Sequence, residues 1–191
     1  MKMNKLDKQY IDLLQDILDN GVTKMDRTGT GTLSVFGRQI RHKMSEGFPL
    51  LTTKKMAWKT MVTELLWFLR GDTDIRFLWE NNCSIWDGDW HKKYKTTCSE
   101  PYTLEEVKQK VNEGNHNFHD SMFDLGKIYG HQWRKWGGYK KVPSGWNHGS
   151  VTHYKEVPKN DQIANLINDL KTNPDSRRLM VNAWNVGELD Q

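Results

Sequence analysis

The feature that most restricts the fold is an apolar helix in the first half of the chain. Residues 56–70 set Trp58, Met61, Val62, Leu65, Leu66 and Leu69 at helical spacing, a wide apolar surface rather than a narrow stripe. A helix that apolar must pack against neighbours to stay in water. Glu64 lies within that surface, three residues beyond Met61 and four before Phe68. A carboxylate there is costly unless it is hydrogen-bonded or functional. Two readings stand at this point: Glu64 bonds a neighbouring polar group, or it moves protons.

Three more helices follow from spacing. Tyr10, Leu13, Leu14, Ile17 and Leu18 form one face, with Asn20-Gly21 as its stop. Residues 74–82 give a short helix with Ile75, Leu78 and Trp79 inward, and residues 161–171 give another with Ile163, Leu166, Ile167 and Leu170 on one face. Thr103-Leu104-Glu105-Glu106 is a capping box, followed by Val107 and Val111 at i,i+4. Leu179, Val181 and Ala183 alternate with Met180, Asn182 and Trp184, which predicts a strand with two unlike faces.

Two polar stretches attract attention for a different reason. Arg177 and Arg178 sit together before the predicted strand, and two guanidinium forks suit a phosphate dianion. A solvated surface pair is the plainer reading of any Arg-Arg. Asp26-Arg27-Thr28-Gly29-Thr30-Gly31-Thr32 is a loop whose glycines permit close approach to a ligand. By itself it is a turn with one arginine. It lacks the Gly-Lys-Ser/Thr ending of a phosphate-binding loop.

Composition narrows the class. The chain has 191 residues, enough for one domain with a core, and its 9 tryptophans argue against disorder. A net charge of +4 favours anionic ligands without demanding nucleic acid. Cys83 and Cys98 are the two cysteines, too few for a disulfide framework. His116 and His119 alone are a weak metal signal, so no metal is expected. No apolar signal core opens the chain and no run reaches membrane-spanning length, which leads us to expect a cytoplasmic protein.

Several segments together resemble the thymidylate synthase family. They are the Asp-Arg-Thr-Gly-Thr-Gly-Thr loop, Thr63-Glu64-Leu65-Leu66-Trp67-Phe68-Leu69-Arg70-Gly71-Asp72-Thr73, and Ile85-Trp86-Asp87-Gly88-Asp89-Trp90. Asp124-Leu125-Gly126-Lys127-Ile128-Tyr129-Gly130-His131-Gln132-Trp133-Arg134 and Pro174-Asp175-Ser176-Arg177-Arg178 with Ala183-Trp184-Asn185-Val186-Gly187-Glu188-Leu189-Asp190 complete the set, in the family's order. The resemblance implies an α/β fold of the α+β type, with a large mixed sheet packed by helices and a homodimer across the sheet. It implies a single domain over residues 1–191, with insertions at about 91–123 and 137–160. The first insertion reads as one exposed helix. The second is basic and aromatic, a mix compatible with RNA but more simply a solvated loop.

The resemblance also implies a reaction: reductive methylation of dUMP to dTMP, with 5,10-methylenetetrahydrofolate as co-substrate. Glu64 would relay protons and Tyr129 would stand in the active-site cavity. Arg27, Arg177 and Arg178 would bind the phosphate, the Arg-Arg pair reaching the partner subunit's site. Trp86, Lys54 and position 57 would contact the folate, with Ala57 standing where many relatives have a histidine. Trp86 fits its motif better than Trp90, because two residues separate Asp87 from Trp90 where the pattern has one. In the family the nucleophilic cysteine lies in a Pro-Cys-His segment, and this sequence stops at Gln191 before it. Activity is therefore expected to require sequence beyond Gln191. The alternatives are a pyrimidine nucleotide hydroxymethylase of the same family, and a non-catalytic fragment that binds nucleotide or dimerises.

Overall fold

The structure is a computed structural model that describes residues 4–25, 29–114, 117–137, 139–142, 153–156 and 160–186. Arg27 and much of the 137–160 stretch lie outside the described residues. The chain divides into two compact units, Met1–Ala57 and Trp58–Gln191.

In the first unit, α1 (Lys5–Asn20) begins at Asn4, whose side chain accepts from the Asp7 amide. It ends at Gly21, where a Cβ would come within 2.3 Å of the Ile17 carbonyl oxygen. Glycine is needed there for space, since its backbone is extended. Strands β1 (Val22–Lys24) and β2 (Thr32–Ser34) pair antiparallel, Val22 opposite Ser34. Asp7 is the buried residue of this unit among those described. Its carboxylate takes the Thr52 amide at 2.8 Å and the Thr52 hydroxyl besides, tying the helix to residues 50–53. Gln9 clasps Arg41 in the same fashion, accepting from its amide at 3.0 Å and donating to its carbonyl at 2.9 Å.

The second unit is helical. Its elements are α2 (Trp58–Leu69), α3 (Arg76–Glu80), α4 (Asp87–Thr97), α5 (Leu104–Asn112), α6 (Tyr129–Arg134) and α7 (Gln162–Thr172). A hairpin of β3 (Tyr139–Val142) and β4 (His153–Glu156) stands on a bridge between Trp136 and Asn160. The core gathers Trp67, Phe68, Ile75, Leu78, Trp90, Tyr94, Val107 and Phe123. Trp90 stacks on Tyr94 one helical turn away, with centroids 5.1 Å apart, and on Phe123 at 6.2 Å. Burying indoles requires acceptors for their N–H groups. Trp67 finds the Asp74 carbonyl at 3.0 Å and Trp90 the Met122 carbonyl at 2.8 Å.

Three expectations change. The α+β class holds, but the described strands form two two-stranded sheets rather than a large one. Residues 179–184 alternate as expected yet form no strand. A strand needs neighbouring backbone for its own groups, and here a side chain, Gln162, takes that place at Asn182: it accepts from the Asn182 amide at 2.9 Å and donates to its carbonyl at 2.8 Å. The 91–123 stretch carries more than an exposed helix. Tyr94, Val107 and Phe123 are buried, so it forms one wall of the core. The capping box is present as read, with both Thr103 and Glu106 bonds made. On the apolar helix, Trp67 and Phe68 face inward, while Leu65 and Leu66 are 45% and 50% exposed.

Candidate functional site

The site begins with Glu64 on α2. Its carboxylate is half-buried and accepts the indole N–H of Trp86 at 2.8 Å. Trp86 occupies the N-cap position of α4, where its carbonyl receives the Trp90 amide at 3.0 Å. Its ring is therefore held from both ends, by the helix it starts and by the acid it bonds.

Tyr129 enters from the first residue of α6. Its ring lies 6.1 Å from that of Trp86 and 5.4 Å from that of Phe68, edge-on in both cases. Phe68, one turn after Glu64, also meets Trp86 at 6.0 Å and Trp133 at 5.8 Å. This approach of α6 to α2 depends on glycine. A Cβ on Gly130 would stand 2.9 Å from both Cα and O of Phe68. One on Gly71, whose φ is +66°, would stand 2.6 Å from Cβ of Arg134. Two missing side chains thus let Tyr129 reach the acid's neighbourhood.

The third side comes from α7. Asp161 caps this helix through the Ala164 amide and holds Arg134 of α6 at 3.1 Å. Gln162 donates to the Gln132 carbonyl at 2.8 Å while clasping Asn182. That fixes Ala183 and Trp184 beside α6. The result is a cleft of about 200 Å³ lined by Trp86, Lys127, Ile128, Tyr129, Ala183 and Trp184. A larger cleft of about 590 Å³ runs along α4 with Lys92, Lys93 and Lys127 on its walls. None of the site residues expected from the sequence lines it, so size does not choose between the two.

Of the expected residues, Glu64, Trp86 and Tyr129 come together. Trp90 is in the core, 1% exposed. Arg177 and Arg178 are exposed, have no carboxylate partner among the described residues, and do not line the aromatic cleft. Lys54 and Ala57 are exposed residues of the first unit. Phe68, Gly130 and Trp184 were not anticipated, although the four-residue step from Glu64 to Phe68 was legible.

The Cys83 thiol is poorly disposed to act. Cys83 is 1% exposed, and burial chiefly pushes its ionisation up, with the nearby Glu64 charge adding to the effect. A thiol so placed is a weak nucleophile. Cys98 closes α4 as its C-cap residue. His119 accepts from the Ser121 amide as a helical-turn cap. Among the described residues no group of His, Cys, Asp and Glu is arranged to hold a metal, and no helix is long and apolar enough to cross a membrane.

The family model for thymidylate synthase matches residues 8–191. The chain belongs to the thymidylate synthase family. This is a family of methyltransferase-type enzymes of nucleotide biosynthesis. The matched residues include the segments that bring Glu64, Trp86 and Tyr129 together.

Proposed function

We propose that this chain serves the reductive methylation of dUMP to dTMP, as a single cytoplasmic domain that works in a homodimer. The observation that carries the reading is the Trp86–Glu64 hydrogen bond at 2.8 Å beside Tyr129, at the edge of an aromatic cleft. A carboxylate that accepts an indole N–H on one oxygen keeps the other for water. That is the disposition a proton relay to a pyrimidine ring needs.

The cleft suits part of a folate. Trp86, Tyr129 and Trp184 offer flat apolar faces. At about 200 Å³ the cleft is smaller than the roughly 300–1,000 Å³ of sites that enclose a whole drug-sized ligand. It would take one ring system and leave the remainder to other residues. When bound, 5,10-methylenetetrahydrofolate supplies the one-carbon unit and the hydride. The residues of this chain orient that ring and keep bulk water from it.

Arg27, Arg177 and Arg178 are assigned to the dUMP phosphate, the adjacent pair acting in the partner subunit's site. The exposed guanidinium groups of Arg177 and Arg178, without carboxylate partners among the described residues, support this use. The reaction also needs a thiolate to add to C6 of the pyrimidine. The buried, poorly ionised Cys83 does not suit that step.

The test compares Glu64→Gln with the parent in a form that carries the thiol. A fall in kcat of roughly 100-fold or more, with folate binding retained, is expected for general acid–base work. Normal turnover with lowered thermal stability would reduce Glu64 to a structural partner of Trp86. In parallel, Arg177→Ala should weaken dUMP far more than deoxyuridine. Equal losses for the two would remove the phosphate assignment.

A further inference from the structure

We infer that Lys108, from the stretch that reads as an insertion, is a positioning residue for Trp86. Lys108 lies on α5, and its ammonium reaches Asp87 at 2.6 Å. Trp79 of α3 donates its indole N–H to the other oxygen of that carboxylate at 2.8 Å. The Lys108 ammonium also stands 5.4 Å from the centre of the Trp79 ring. Asp87 is only 13% exposed in its side chain and Lys108 30%. This is a largely desolvated pair with both carboxylate oxygens engaged, unlike the surface pairs whose contribution is small.

What makes the pair consequential is its address. Asp87 is the first residue of α4 and follows Trp86 directly in the chain. Trp86 has no side-chain cap bond of its own to hold that helix start. The direction of its indole toward Glu64 thus depends also on how Asp87 is held: its amide donates to the Ser84 carbonyl at 3.2 Å, and its carboxylate is held by Lys108 and Trp79. Three helices, α3, α4 and α5, converge on one carboxylate. The 91–123 stretch thus reaches the site through the Lys108 ammonium group.

The effect on folate rests on Trp86 being a wall of the folate cleft; the effect on Trp86 itself does not. The test follows the indole N–H resonance of Trp86 in the 191-residue chain, assigned by its disappearance in Trp86→Phe. An indole bonded to a carboxylate resonates downfield. In Lys108→Met the signal should move upfield, and the Kd for folic acid should rise about tenfold, the scale of a small misplacement. Lys108→Arg, which keeps the charge, should restore both. An unmoved resonance in Lys108→Met overturns the inference.

Should Lys108→Met fail to fold, the double variant Asp87→Leu/Lys108→Leu leaves no unpaired buried charge. Its Trp86 resonance should still lie upfield, and a wild-type position there overturns the inference equally. If the parent chain does not bind folic acid at all, the folate reading fails. The resonance then decides the role of Lys108 alone.

Discussion

The two units of this chain are stabilised by opposite means. In Trp58–Gln191, Trp67, Trp90, Phe123 and their neighbours form a buried aromatic core. In Met1–Ala57 the described residue that is buried is a carboxylate, Asp7, while Ile11, Leu14 and Leu18 stay 39%, 42% and 66% exposed. One unit depends on area removed from water, the other on hydrogen bonds that lace extended segments to a helix. Apolar burial is indifferent to pH, whereas polar lacing is not. The same chain should therefore fail in two distinguishable ways.

The largest effect is expected from emptying the core. Trp90→Ala removes a fully buried indole and should cost about 3–5 kcal/mol, read as a lower denaturant midpoint for α4 and α5. Near-parental stability would break the account of the second unit. Next comes acid. The Thr52 hydroxyl bond, then its amide, hold Asp7 below the ordinary value of 3.8, and Arg38 does the same for Asp16. The folded state thus binds fewer protons than the unfolded one in that range. This stabilisation is complete above pH 3.8 and is lost as pH falls through the lower folded values. Amide exchange at Thr52 and along α1 should accelerate there before exchange in α4 does. Simultaneous loss in both units would abolish the contrast.

Smaller changes sharpen it. Thr103→Ala deletes the cap of α5 and should cost about 1 kcal/mol, seen as a modest Tm decrease. Lys8→Ala removes an exposed i,i+4 partner of Asp12 and should shift stability by less than about 0.5 kcal/mol. A large effect there would show that surface pairs carry the first unit.

Much of this was legible in the sequence, where the signal was periodic and local. The helices now numbered α1, α2, α3 and α7 follow from spacing, and the capping box from its two residue types. Helix α4 did not, because its two buried side chains, Trp90 and Tyr94, fall on either side of the boundary drawn for an insertion. The strand at residues 179–184 failed for a different reason. Alternation records two faces but says nothing of a neighbour, and Gln162 gives the backbone one point of attachment instead. At the candidate site, the oddity of Glu64 was readable but its partner was not. Trp86 lies 22 residues further on, and only packing brings the two together.

In the unfolded chain, Gly71 and Gly130 are loose links near the site, each sampling conformations that residues with a Cβ rarely adopt. Such freedom favours the denatured ensemble by about 0.5–1 kcal/mol per glycine relative to alanine. The common remedy is barred at both. Residue 71 has φ of +66°, and a methyl at residue 130 would press on the Phe68 backbone at 2.9 Å. The segment that carries Tyr129 therefore keeps a denatured-state entropy that cannot be engineered away without parting α6 from α2.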